Sequence, residues 1–430
     1  MVLAVAMQER EVGFIEILRV NPIFRRYWFG NTISMLGEWF NTVALFVLLE
    51  QLTGSELALG ILFMIRMFSL AFPQVFTGML ADRFSRKWLM VGANFGSAVV
   101  VSCFLLVNDV NDVWLIYFLS ALLMLFHAVY IPAENAAMPN ITESNELLTA
   151  NAMNSATWSA SLAIGSAMGG VVVAQYGVDI AFIANTIAFI IAGIIIATID
   201  IPQKKVKVAE GSFIAVSLAQ VWDGYRIIRT KPRIYRIITA KALWGIFGGG
   251  LVYMLVLLGS EIGFGEVATG IGLMFAARGI GTGLGPIIVR YGLTNRAKWP
   301  LLLGWLVSLC GVGYVIIGWL NWGWWIAIAV VFSHAASGAN WVISTVLLQE
   351  RSEDEWRGRM FSTDFLLLTM VNGISTLAAS LILEFTDYTL REVIQIFAVC
   401  QLLSGIIWVM LVSPGERKFL NQDLASRTKT

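Results

Sequence analysis

Charge is what this chain has least of. Only 13% of its 430 residues are Asp, Glu, Lys or Arg, whereas a soluble domain of this size covers its surface with roughly 25%. Most of the surface must therefore face something other than water. Cysteine is scarce as well. Cys103, Cys310 and Cys400 sit in separate apolar stretches, with neither the spacing of a metal site nor that of a redox motif, and read as small core residues. Two histidines and a net charge of +1 leave no basic surface for a nucleic acid. Glu9, Glu11 and Glu16 interrupt the start of the chain, so no cleavable signal peptide is expected. No nucleophile–base constellation, metal-ligand spacing or phosphate-binding loop is present to suggest an enzyme, and no cofactor is expected.

What remains is 58% hydrophobic, with a mean hydropathy of +0.76. Apolar windows of about 20 residues recur, each long enough to cross a bilayer core of about 30 Å. Lipid offers no partner to backbone N–H and C=O groups, so such windows must be helical; they also lack the alternation of a membrane barrel strand. The pattern predicts an all-α membrane protein with twelve spans, at 27–50, 57–78, 88–108, 113–135, 150–176, 179–200, 236–259, 267–290, 300–320, 323–349, 362–384 and 392–413. The connection from Asn108 to Asp112 and that from Leu320 to Gly323 are short enough to force antiparallel neighbours.

With both termini placed in the cytoplasm, the inner segments hold 25 of the 29 basic residues and the outer loops only Arg391, as expected if positive charge stays inside. The longest polar stretch, Asp200 to Arg236, follows the sixth span. It carries Lys204, Lys205, Lys207, Arg226, Arg229, Lys231 and Arg233, suits an anionic inner leaflet, and predicts an interfacial helix near 211–230. The expected organisation is a six-helix bundle over 1–200, a linker over 201–235, a second six-helix bundle over 236–413 and a cytoplasmic tail over 414–430. A weak repeat supports duplication. The acidic turn Pro139–Asn151 after span four matches Gln349–Arg359 after span ten, at an offset of about 208 to 210 residues.

The sharpest motif is Gly78-Met-Leu-Ala-Asp82-Arg83-Phe-Ser-Arg86-Lys87, between spans two and three. It resembles the G-x-L-x-D-R-x-G-R-K signature of the major facilitator superfamily, with Ser85 where glycine is usual. Gly78 permits close helix approach, Asp82 suits the positive end of a helix in the other half, and Arg83, Arg86 and Lys87 suit carboxylates and lipid phosphates. Ile33-Ser-Met-Leu-Gly-Glu-Trp39, Arg278-Gly-Ile-Gly-Thr-Gly-Leu-Gly-Pro286 and the loop Arg357-Gly358-Arg359 are similar to segments of the enterobactin-exporter and macrolide-efflux branch. The resemblance covers about 20 to 413 and implies a bacterial secondary transporter that alternates access, with spans one, two, seven, eight and eleven bordering a central cavity. It also implies a gate in which Asp82 docks near Phe361 to Asp364, with Arg357 and Arg359 close by. Span five carries Gly165-Ser166-Ala-Met-Gly169-Gly170, an incomplete form of the G-P-x-x-G-G motif of antiporters, whose glycines serve helix packing.

Ionisable groups inside spans are costly and so mark function. At a rise of 1.5 Å per residue, Glu38 lies roughly 16 Å into span one, Arg66 about 13 Å into span two and Arg278 about 16 Å into span eight. Lys241 and Asp364 lie nearer the cytoplasmic ends of spans seven and eleven. Glu38 reads as a proton-coupling group, because desolvation favours its neutral form and an approaching cation its anion; it reads equally as a fixed partner of Arg66. It is taken as the sole carboxylate near midplane, with Asp364 or His127 as a second titrating group. Arg278 reads as an anion-binding group or as a holder of the turn at Gly285-Pro286. His127 and His334 read as hydrogen-bonded packing residues or proton relays. Trp39, Trp158, Trp244 and Trp341 suit an aromatic or amphiphilic ligand or ordinary packing; Trp319, Trp322, Trp324 and Trp325 suit an interfacial belt.

The expected function is proton-coupled export of a hydrophobic or amphiphilic small molecule (a drug, siderophore or metabolite) from a bacterial plasma membrane, by a monomer in contact with lipid. The alternatives are a lysophospholipid transporter and a non-transporting receptor or assembly partner.

Overall fold

A computed structural model describes residues 12–203, 213–262 and 264–427; the side chains at 78, 82, 213–216, 354, 355 and 421–427 are outside the described set. Within these limits the chain is helical throughout, with no strand. A short α1 (Phe14–Val20) precedes six long helices: α2 (Pro22–Thr53), α3 (Glu56–Arg83), α4 (Arg86–Cys103), α5 (Val113–Ile141), α6 (Leu147–Tyr176) and α7 (Val178–Ala197). Then comes α8 (Phe213–Thr230), followed by α9 (Pro232–Glu261), α10 (Val267–Gly292), α11 (Trp299–Trp319), α12 (Ile326–Arg351), α13 (Asp354–Phe385), α14 (Leu390–Leu411) and α15 (Ser413–Arg427).

Twelve of these, α2 to α7 and α9 to α14, are long and apolar enough to cross a membrane. The protein is an integral membrane protein, and an even number of spans puts both ends of the transmembrane region on one face, here called the termini face.

Local chemistry sets the helix boundaries. Asn21 caps α2 by accepting from Phe24 N at 2.8 Å, with Pro22 in the first turn, where a missing N–H costs nothing. Gly54, at φ 56°, ends α2 in the left-handed region that only glycine enters without strain. Ser55 then caps α3. Ser85, standing where the resembled motif has glycine, holds φ −62° and caps α4; an ordinary extended residue fits this turn.

Most helices run past the apolar windows from which the spans were read. Helix α5 ends at Ile141 rather than 135, so Pro139 and its neighbours, expected in a turn, are helical. Helix α2 starts at Pro22 rather than 27. Hydropathy reports contact with lipid, and a helix continues into the polar boundary for as long as its hydrogen bonds do. The residues after 413, expected as a tail, begin as α15: Glu416, 3% exposed, pairs with Arg236 at 3.2 Å and with Arg351 at 2.8 Å. The helix expected near 211–230 is α8; Lys204, Lys205 and Lys207 lie outside the described residues.

Helix α2 packs on α6 and α7, α3 on α5, and α4 on α5 and α7; in the second set α9 packs on α10, α13 and α14, α10 on α12, and α11 on α12 and α14. The two sets meet along α6 with α10 and along α3 with α13. These seams are made by small residues. A methyl group on Gly170 would stand 2.6 Å from the Ala268 carbonyl oxygen, and one on Gly279 2.4 Å from Ala163 N. Without a strong hydrophobic force between helices in lipid, such close backbone approach supplies the packing energy.

At the face opposite the termini the two sets are tied by hydrogen bonds. Tyr253 Oη donates to the Glu56 carbonyl at 2.6 Å. Glu384 accepts from Ser55 Oγ at 2.8 Å and from Leu57 N at 3.0 Å, capping the positive end of α3 from the other set. Phe63 meets the Tyr253 ring edge-on at 5.7 Å beneath them. Nearer the termini face the α6–α10 seam loosens: a methyl group on Gly283 would stand 3.4 Å from the Ser159 side chain, an ordinary contact.

Candidate functional site

Three ionisable groups from three helices meet in the first set. Glu38 (α2) has Arg66 (α3) at 3.9 Å and His127 Nδ1 (α5) at 3.3 Å. The Glu38 side chain keeps 29% of its exposure, so water can reach it. Arg66 Nη2 also reaches Thr42 Oγ1 at 3.5 Å, while its Nη1 is enclosed without an acceptor. The geometry goes beyond the fixed Glu38–Arg66 pair: the histidine is the nearer partner, and the carboxylate stands between a permanent cation and a titratable base.

The second set holds a tighter pair. Lys241 Nζ (α9) donates to Asp364 Oδ2 (α13) at 2.7 Å, and both side chains are buried. The Trp341 ring (α12) lies 4.7 Å from the ammonium, a distance at which the ring face attracts a cation. Asp364 Oδ1 is enclosed without a donor.

Arg278 (α10) stands elsewhere. Its guanidinium lies 5.9 Å over Phe275. Phe275 in turn is 6.2 Å from Trp39 and 5.6 Å from Phe46 of α2, so Arg278 borders the seam between the two sets. Tyr314 (α11) meets His334 Nε2 (α12) at 2.9 Å, and both lie within electrostatic reach of Arg278.

The aromatic residues divide in the same way. Trp39 and Trp158 meet edge-on at 6.5 Å, and Trp158 and Trp341 are 42% and 48% exposed, unlike packing tryptophans. Trp244 covers Gly248, where an added methyl group would come within 3.0 Å of its ring.

Gly165 and Gly169 let α6 lie against Trp39 and Phe40 of α2, and Gly170 lets it lie against α10. In the signature loop, Arg86 donates to the carbonyls of Ala136 at 2.7 Å and Ala81 at 3.4 Å, and Lys87 lies 5.5 Å over the Trp88 ring. The docking expected of Asp82, like the side-chain surroundings of Gly78, lies outside the described residues. Arg359 reaches Asp223 of α8 at 3.2 Å, and Arg357 reaches the Ser352 carbonyl at 2.9 Å. Arg83 at the end of α3 belongs to the termini face, as do Arg357, Gly358 and Arg359, which are helical at the start of α13 rather than in the expected loop, with Arg359 held by α8.

One buried carboxylate escaped the sequence reading without displacing Glu38 at midplane: it lies seven residues past His127 on α5, about 10 Å nearer the termini face. Glu134 (α5), 6% exposed, accepts from Asn31 at 2.9 Å and Asn154 at 3.0 Å, and Tyr27 Oη donates to it as well. Asn31 in turn donates to Asn154 at 2.9 Å and accepts from Tyr130 Oη at 3.1 Å. The apolar window ended at 135 and put Glu134 at its edge, where acids are unremarkable. The legible signal was Tyr27 and Asn31, two polar residues four apart on one helix face within a span.

The architecture and the seam can now be set beside known proteins. The model of the Major Facilitator Superfamily matches residues 27–367. The chain belongs to this superfamily. Macrolide efflux protein A of Streptococcus pyogenes is 21% identical over 376 residues, 83% of this chain and 88% of that protein. The MFS-type transporter YfiS of Bacillus subtilis (strain 168) is 27% identical over 218 residues, 47% of this chain. That match spans about half of YfiS, 48% of its length. Among solved structures, a bacterial homolog of the human lysosomal transporter Spinster, inward-facing and unoccupied, superposes with a TM-score of 0.70 at 14% identity, over 93% of this chain and 97% of that one. A POT family transporter in complex with 5-aminolevulinic acid gives 0.73 at 10% identity, over 94% and 99%. These structures share the fold. As a member of this superfamily the protein is a transporter rather than an enzyme.

Proposed function

We propose that this transporter exports a hydrophobic or amphiphilic small molecule in exchange for protons, across a bacterial plasma membrane with both termini in the cytoplasm. The observation that carries the reading is Glu38, half-hydrated and held between Arg66 and His127. Ties at Tyr253–Glu56 and Glu384–Ser55 close the face opposite the termini, and under this reading the Glu38 site opens toward the cytoplasm. A proton on Glu38 weakens its hold on Arg66 and His127, and so biases the packing of α2 against α3 and α5.

The energetics require more than one group. Inverting a two-state population from 1:99 to 99:1 takes about 5.5 kcal/mol, while a hundredfold change in proton affinity at one carboxylate supplies about 2.7 kcal/mol. His127, in contact with Glu38 at 3.3 Å, is the natural second contributor. Asp364 is a weaker one, engaged as it is by Lys241.

The similarity to a macrolide efflux protein supports export, and exposed Trp158 and Trp341 supply apolar walls. The test is substrate-dependent proton flux in proteoliposomes against a panel of amphiphiles. Glu38→Gln should abolish proton-driven accumulation while leaving substrate exchange intact. A variant that still builds a full proton-dependent gradient would reduce Glu38 to a structural partner of Arg66.

A further inference from the structure

We infer that the central site selects amphiphiles bearing a single acidic group, and that Arg278 receives that group. This substrate class rests on the small-molecule exporter reading above.

Arg66 and Arg278 both lie well inside spans. Arg66 is the eleventh residue of α3 and Arg278 the twelfth of α10, the second spans of their respective sets. Arg66 has a carboxylate, Glu38. The position 210 residues after Glu38 is Gly248, packed under the Trp244 ring, so no carboxylate approaches Arg278 from α9. Among the described residues Arg278 makes no hydrogen bond or ion pair, and its one polar contact is the Phe275 ring. Its Nε is enclosed without an acceptor. The groups beside it, Tyr314 and His334, bring no negative charge. His334 is 1% exposed, and its Nδ1 is likewise enclosed without a partner.

A guanidinium in a span costs several kcal/mol unless paired or hydrated. Arg66 meets that cost within the protein, and Arg278 does not. A carboxylate or phosphate accepts the planar N–H fork in a two-pronged geometry, and the place to receive it lies at the seam. There Trp158, 42% exposed, and the partly buried Trp39 beside it offer apolar ring surface, with Phe275 buried behind them. An amine brought to the same place meets the like charge of Arg278. The surroundings therefore distinguish ligands by the sign of one charge.

The test uses full-length transporter in nanodiscs of zwitterionic lipid and three tritiated probes of one shape: naphthylacetate, naphthylethanol and naphthylethylamine. Binding is read by scintillation proximity. Naphthylacetate should bind at least tenfold more tightly than the amine, with the alcohol between them. Arg278→Gln should weaken naphthylacetate tenfold, about 1.4 kcal/mol, and leave naphthylethanol unchanged, which also shows that the variant is folded. Arg278→Lys, retaining charge without the fork, should fall between. Displacement of naphthylacetate by lysophosphatidate at lower concentration than by unlabelled naphthylacetate assigns the acid to a lipid headgroup; displacement only at higher concentration assigns it to a soluble organic acid. Both support the inference. An amine bound as tightly as the acid, or an acid indifferent to Arg278→Gln, overturns the charge selection while leaving export standing. Failure of all three probes to bind overturns the small-molecule reading and this inference with it.

Discussion

The two sets of six spans solve one packing problem with different chemistry. Asn31 and Lys241 stand 210 residues apart, as do Asn154 and Asp364, and each pair of positions bridges the first and fifth helices of its set. In the first set the bridge is neutral, Asn31 to Asn154 at 2.9 Å, with the Glu134 carboxylate set behind it. In the second it is ionic, Lys241 to Asp364 at 2.7 Å, with Trp341 over the cation. Lys241 and Asp364 of the second set are locked to each other, whereas Glu38 of the first has His127 at 3.3 Å and Arg66 only at 3.9 Å, and Glu134 has neutral donors. Duplication kept the contact and moved the titratable chemistry. A proton arriving at the first set changes a carboxylate's bonding outright, while at Asp364 it must first compete with a lysine 2.7 Å away.

The largest test of this contrast is to break each bridge. Asp364→Asn leaves the Lys241 ammonium buried without its counterion and should cost about 3–5 kcal/mol, seen as a collapse of the thermal midpoint in detergent. The double variant Lys241→Met, Asp364→Leu should recover most of the loss. Asn31→Ala removes hydrogen bonds to Glu134, Asn154 and Tyr130 but strands no cation, and should cost about 2 kcal/mol at about 0.6 kcal/mol each; equal losses in the two sets would end the contrast.

Glu134 comes next. Glu134→Leu strips the acceptor from Tyr27, Asn31 and Asn154. Three interhelical hydrogen bonds at about 0.6 kcal/mol each predict a loss of about 2 kcal/mol, with Glu134→Gln retaining part of it. If Glu134→Gln is as stable as the parent yet transports with an altered proton dependence, the carboxyl titrates during the cycle and the first set carries a second proton site.

A third test addresses the seam that both sets share. Gly170→Val drives a side chain into the Ala268 carbonyl and should cost about 1–3 kcal/mol. Because the clash lies toward the face opposite the termini, it should favour the conformer open there. Spin-label distances across α6 and α10 at that end should lengthen, and unchanged distances would show that the seam closes without this contact.

The smallest expected effect is Tyr253→Phe, which deletes the bond to the Glu56 carbonyl, worth about 0.6 kcal/mol. That is a shift of roughly threefold in the two populations, in the same direction as Gly170→Val.

Much of this was legible before any coordinates. The apolar windows that became the spans were read from the sequence, and Glu38 and Arg66 were conspicuous because a charge in an apolar run is rare and costly; the caps at Pro22, Gly54 and Ser55 that set the true helix ends are local signals the windows passed over. Glu134 escaped because a hydropathy window averages it with its neighbours, and its partners Tyr27 and Asn154 are remote in sequence. His127 and Glu38, 89 residues apart, gave no local hint that they touch.

The sequence by itself determined that this chain lives in a membrane, how many times it crosses, and which residues had to find partners there, because transfer energies and backbone hydrogen bonding act over a single turn or a single span. Only the tertiary structure decided which partner each charge received: His127 nearest to Glu38, Asp364 for Lys241, and, among the described residues, no carboxylate for Arg278. Those pairings depend on how helices far apart in sequence rotate and cross, and steric contact at residues such as Gly170, Gly279 and Gly248 sets those crossings.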